Sequence, residues 1–166
     1  MAGFDEIWDM VCKDFIPKLE ENKGLEFFVK NRAKFEGWMK VELCTSFSNF
    51  AHSEITPEKN WIDIVIDDFA IELKTPNTNY PTENVIPKTR PITDNMKSIL
   101  KDIKGLNNNS DYTNKAVMFI VFPLPKSSNK LWQKHISKIE SKVKRIEQKE
   151  FHFVNGVRGV IYFGKI

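Results

Sequence analysis

The sequence predicts a single α+β domain, residues 1–166, built on a mixed β-sheet. Three observations carry this. Apolar spacing is helical at the start, alternates with a period of two between about residues 51 and 75, and turns helical again beyond residue 92. Ala116–Phe122 is continuously apolar and rich in β-branched and aromatic residues, as in a strand buried on both faces. Asn155-Gly156 separates two short apolar segments, a hairpin signal. With 166 residues, 41% of them apolar, 13 Phe and 4 Trp, the chain suits one core and is too apolar for a disordered segment.

Each element follows from local pattern. Phe4, Ile7, Trp8, Val11, Cys12, Phe15 and Ile16 lie at helical spacing, and Pro17 is expected to end or kink that helix. A second helix is expected from Gly24 or Leu25 to Phe47, with Phe35, Trp38, Met39, Leu43 and Phe47 on one side. Strands are expected near Ala51–Ile55, Trp61–Ile66 and Phe69–Thr75. Four prolines fall between Pro76 and Pro91, so residues 76–92 read as a long loop. Thr93 can cap a third helix that stops at Gly105. After the strand Ala116–Phe122, a long helix is expected from Asn129 to Glu147, then two strands, Phe151–Val154 and Val157–Phe163. The order is α-α-β-β-β-α-β-α-β-β.

Bulk properties narrow the function classes. The longest apolar run is too short to span a bilayer, and the acidic start MAGFDEIWDM is unlike a secretion signal. Cys12 and Cys44 sit in apolar patterns and read as free thiols of a reducing, cytoplasmic protein. Net charge is only +3, but Lys126–Lys149 holds eight Lys/Arg against two Glu. That local excess suits a polyanionic partner.

The chemistry concentrates in Trp61–Thr75. If Asp67-Asp68 is a two-residue turn, Ile66 pairs with Phe69, and Asp63 falls opposite Glu72. Side chains alternate faces, so Trp61, Asp63, Val65, Ala70, Glu72 and Lys74 share one face. Ile62, Ile64, Ile66, Phe69, Ile71 and Leu73 share the other, which must be core. Two carboxylates directly opposite repel, and a divalent cation between them relieves this. Mg²⁺ (or Mn²⁺) suits the site because it takes oxygen ligands and keeps exchangeable waters. Lys74 can then offset charge building on a phosphate.

Asp63 followed by Glu72-Leu73-Lys74 on the next strand resembles the PD-(D/E)xK nuclease superfamily of restriction-endonuclease-like proteins. The resemblance covers about half the chain, from Phe35 to Phe122, and implies a core of helix, three-strand meander, helix and strand. It implies catalytic roles for Asp63, Glu72 and Lys74, with Asp63 and Glu72 as metal ligands. Many members add a glutamate on the first core helix, for which Glu36 and Glu42 both stand as candidates, Glu36 favoured also as a metal ligand. Glu54 is a weaker third. The proline usual before the aspartate is Ile62 here.

The expected activity is a Mg²⁺-dependent DNA endonuclease of restriction, repair or defence type. The alternative is a catalytically silent nuclease-fold protein that binds nucleic acid or a protein partner. Lys130, Lys134 and Lys138, opposite the apolar side of their helix, and Lys88 and Arg90 in the long loop are the candidate phosphate contacts. Cutting both strands of a duplex calls for two sites, which a homodimer would supply.

Overall fold

A computed structural model of the chain describes residues 2–166. Helix α1 (Phe4–Met10) runs through a π-helical turn, Val11–Phe15, into α2 (Ile16–Glu21). Pro17 does not end this segment. It lies just after the π-helical turn, at the start of α2. Then come α3 (Leu25–Lys30), α4 (Glu36–Phe47), β1 (Ile55–Lys59), β2 (Ile62–Ile66), β3 (Phe69–Lys74), α5 (Thr93–Asn108), β4 (Asn114–Val121), α6 (Asn129–Glu140), β5 (Arg145–His152) and β6 (Arg158–Lys165).

The six strands form one mixed sheet in the order β1-β2-β3-β4-β6-β5. The meander β1-β2-β3 is antiparallel, β4 joins β3 in parallel, and β6 and β5 complete the sheet antiparallel. The α5 crossover supplies the connection that a parallel β3–β4 pair requires. Both faces are covered. Ile64, Ile66, Phe69, Ile71, Leu73, Met118 and Ile120 pack with the N-terminal helices and α4, whereas Val65, Ala70, Val117, Phe119 and Val121 pack with α5 and α6. The continuous apolar run of β4 is explained by its position between these two cores. The meander's second face is therefore also core at Val65 and Ala70, and only its far end is polar. None of the described helices is long and apolar enough to cross a membrane.

Four expected boundaries are corrected. The helix expected over 24–47 is two helices, because Arg32 adopts φ 52° between them. Its buried guanidinium donates to the carbonyls of Thr78, Tyr80 and Ile86, so it organises the proline-rich loop. The helix expected to reach Glu147 stops at Glu140. Residues 145–152 instead pair with β6 along its length, since a strand in this place needs a ladder partner. The first strand lies at Ile55–Lys59, with Pro57 tolerated because β1 is an edge. Thr93 begins α5 but does not cap it, and the helix continues past Gly105 to Asn108.

The β5–β6 end of the sheet is packed against a glycine. A Cβ built at Gly159 would come 2.7 Å from Cζ of Phe151, a fully buried ring. Gly159→Ala is expected to destabilise the fold by about 1–3 kcal/mol through overpacking, read as a lower midpoint in urea unfolding. An unchanged midpoint would show that the ring can move aside.

Candidate active site

The Asp67-Asp68 turn forms as the spacing predicts: Ile66 pairs with Phe69, Val65 with Ala70 and Ile64 with Ile71. Asp67 takes φ 55°, and its carboxylate accepts hydrogen bonds from the Ser53 hydroxyl and the Glu54 N–H. The regular ladder ends at Ile64. Beyond it the Asp63 carboxylate, not a backbone carbonyl, accepts the Leu73 N–H at 2.8 Å. The strands part here, and Ile62 packs with the α5–α6 core instead of beside Ile64. A polar pocket of side chains fills the opening, supplied from both layers.

From the strands come Asp63, Glu72 and Lys74. The Asp63 and Glu72 carboxyls are close enough to perturb each other's ionisation. Burial, then the hydrogen bond and repulsion from Asp63, push Glu72 up to about 8, with Asp102 adding repulsion and Lys74 offsetting part of it. Burial alone would also raise Asp63, but hydrogen bonds from Lys40, Glu72 and the Leu73 N–H outweigh it and hold Asp63 below its ordinary value. The two carboxyls are thus pushed apart, Glu72 upward and Asp63 downward.

From α4 come Glu36 and Lys40. The Glu36 Oε1 accepts the Thr75 N–H at 3.0 Å, while the Thr75 hydroxyl accepts the Phe35 N–H at 3.1 Å, so α4 is pinned to the end of β3. Lys40 Nζ lies 2.6 Å from Asp63 Oδ1 and also pairs with Glu58. From α5 comes Asp102, whose carboxylate is 3.0 Å from Lys74 Nζ. Burial works against the Lys74 ammonium, but the Asp102 bond and charge raise its pKa above the ordinary value and keep it protonated. Lys74 therefore keeps its positive charge at neutral pH.

Glu42 is not brought to this group. It points toward Lys18, 3.6 Å away, on the other flank of α4. Glu54 lies at the opposite end of the hairpin, beside Thr56 and the Asp67 turn. Lys88 donates to Asn77 Oδ1 within the loop, and Arg90 pairs with Asp94. Lys130, Lys134 and Lys138 project along exposed positions of α6. Lys40 and Asp102 were not anticipated. Both had a signal in spacing: Lys40 follows Glu36 by four residues on one helix face, and Asp102 lies beside Ile99, Ile103 and Leu106 on the inner arc of α5.

Among the described residues, no group of three or more His, Cys, Asp or Glu side chains is assembled to hold a metal ion. The donor chemistry of the carboxyl pair still fits Mg²⁺, which binds through one or two carboxylates and fills its shell with water and substrate oxygens. Burial, more than charge, raises Glu72, and Lys40 already stands as a cation beside Asp63. Asp63 and Glu72 are the residues that would hold the metal ion, with Glu36 at the margin. No protein-family model, curated protein or solved structure matches this chain.

Proposed function

We propose that this protein is a metal-dependent phosphodiesterase of restriction-endonuclease-like type, acting on nucleic acid and most simply as a DNA endonuclease. The single observation that carries this reading is the convergence of two half-buried carboxyls, Asp63 and Glu72, at the parted end of β2 and β3 with Lys74 two residues beyond Glu72. The helix–meander–helix–strand order of α4, β1–β3, α5 and β4 supports the same class.

A bound divalent ion would polarise the phosphoryl oxygen and lower the pKa of a coordinated water. The protein's own residues do the rest. Asp63 is held in place by Lys40 and the Leu73 N–H. Glu72 would join Asp63 in holding that ion, in its carboxylate form. Lys74, oriented by Asp102, presents a fixed ammonium to the charge that grows on the phosphate oxygens. Glu36 holds the end of β3, and so Lys74, at its present distance from α4.

One observation favours the silent, binding-only alternative. The Lys40 ammonium already neutralises Asp63, so the carboxylate has a resident cation. Incubation with single- and double-stranded DNA and RNA in Mg²⁺, Mn²⁺ or EDTA separates the readings. Metal-dependent cleavage is expected, lowered about a hundredfold by Lys74→Ala, the scale of losing one preorganised charge. Cleavage that survives EDTA, or an undiminished Lys74→Ala, would sink the proposed mechanism; binding with no cleavage would favour the alternative.

A further inference from the structure

Trp61 stands at the tip of the β1–β2 hairpin with 96% of its surface exposed. Burying such a side chain is ordinarily worth several kcal/mol of apolar contact, and here that gain is forgone. Its backbone is costly as well. Asn60 and Trp61, the two residues enclosed by the pair Lys59↔Ile62, have φ of 52° and 67°. A turn with both central residues in the left-handed region favours asparagine followed by glycine. Asn60 obeys this preference, whereas Trp61 occupies the glycine position, where a bulky side chain is strained. Glu58, with φ 56°, is a third left-handed residue in the same tip. At its exposure the indole touches almost nothing of its own chain, so no internal contact offsets the strain. Strain that the fold does not use points to a use outside the fold.

The tip is tied to the candidate active site. Trp61 precedes Asp63 by two residues, about 7 Å of extended chain. Glu58 and Asp63 share Lys40 as their common cation. Pro57, Glu58, Lys59 and Asn60 are all exposed around the ring. These neighbours are mostly polar and charged, so the tip is one aromatic surface in a wet, charged rim and not an apolar patch of the kind that forms the centre of a protein interface.

We propose that Trp61 is a stacking platform for an unpaired nucleobase, beside the phosphodiester that Asp63 and Glu72 would cut. This rests on the phosphodiesterase reading and sharpens it: the preferred substrate carries a single-stranded or unstacked nucleotide at the site of cleavage. An aromatic face stacks on any base without a shaped pocket, which accounts for a ring presented almost wholly to solvent. Lys59 supplies a cation for the adjoining backbone. An intact duplex keeps its bases stacked on each other and offers the ring no face.

The test compares two probes in EDTA, a fluorescent twelve-nucleotide oligothymidylate and an abasic oligonucleotide with the same phosphates. Trp61→Ala is expected to weaken oligothymidylate binding about 5- to 150-fold, the range corresponding to about 1–3 kcal/mol for one stacked base. Abasic binding is expected to change by less than about twofold, because phosphate contacts are independent of the ring. Trp61→Phe keeps a stacking face and retains most of the affinity. Trp61→Gly relieves the left-handed strain, so it is expected to raise the melting temperature by about 2–4 °C while binding oligothymidylate as poorly as Trp61→Ala. A more stable protein that binds less well cannot be explained by loss of folding. Equal losses on both probes, no loss on either, or no binding of oligothymidylate by the wild-type chain would each overturn the proposal. So would a change in oligomeric state on substitution of Trp61, which would assign the ring to a protein contact. If Asp63→Ala abolishes cleavage while Trp61→Gly binds oligothymidylate normally, the phosphodiesterase reading stands and the stacking platform falls. The reverse result removes the catalytic reading and keeps the platform.

Discussion

Asp63→Ala is expected to reduce metal-dependent cleavage by about a thousandfold or more, the upper scale for removing one preorganised electrostatic group. Asp63 is the residue on which the site's geometry depends. One of its oxygens accepts the Leu73 N–H and the other faces Lys40. Alanine leaves a partly buried N–H without an acceptor and leaves Lys40 with Glu58 alone, a loss of about 1–3 kcal/mol of stability. Asp63→Asn separates the two effects. Its amide oxygen can still accept the Leu73 N–H, so the stability loss is smaller, while the missing charge removes cleavage as fully as alanine does. Cleavage kinetics and urea unfolding of the two variants check this. An Asp63→Asn protein that cuts normally would remove Asp63 from the chemistry; equal destabilisation by Ala and Asn would show that the hydrogen bond to Leu73 contributes little.

Glu72 is expected to make the protein less stable as pH rises from about 4.5 to about 8. Its folded-state pKa is raised to about 8 from an ordinary 4.5. Below 4.5 the group is protonated in both states and costs nothing. Between the two values the unfolded chain has released the proton and the folded chain still holds it, so the unfolded state gains with each step in pH. Above about 8 both have lost it and the penalty is at its full value. The whole displacement corresponds to about 5 kcal/mol; because the carboxyl keeps some solvent contact, about 2–3 kcal/mol is expected after screening. Asp63 acts in the opposite sense at lower pH: its depressed pKa contributes stability that is lost as pH falls below about 4. Glu72→Gln is expected to recover the 2–3 kcal/mol at pH 8, gain nothing at pH 4, and abolish cleavage. Mg²⁺ is expected to stabilise the wild-type chain at pH 8 and not the Gln variant, through binding to the folded state alone. Thermal unfolding from pH 4 to 9 with and without Mg²⁺ reads all of these. A wild-type profile flat between pH 5 and 8 would contradict the charge assigned to the pair.

The same residues show how far local pattern reaches. The Asp67-Asp68 turn, its register and the proximity of Asp63 to Glu72 follow from a period-two pattern interrupted by two turn-forming residues, because a slip of one position would turn every isoleucine to the wrong face. The two-sided burial of β4 was legible for the same reason: Ala116–Phe122 has no polar position to give to solvent. The helix from Asn129 was legible only in part. Its inner residues Trp132, Ile136 and Ile139 keep helical spacing, and Val143 and Ile146 continue it by coincidence into a segment that β6 recruits as an edge strand. Nothing local distinguishes the two outcomes, since the choice is made by a ladder partner some ten residues further on.

What the residues dictate alone is the class of the fold and the hairpin that carries Asp63, Glu72 and Lys74. Those follow from short-range alternation and turn chemistry, which act between neighbours. Tertiary structure decided which groups meet at the parted strands. Glu36, Lys40 and Asp102 arrive from helices on opposite faces of the sheet, and Glu42 is turned away to Lys18. Each of those pairings spans 23 to 39 positions and is set by how a helix rolls on the sheet. Helical spacing places these residues on the right faces, but packing of both cores and the need to pair half-buried charge decide which of them meet.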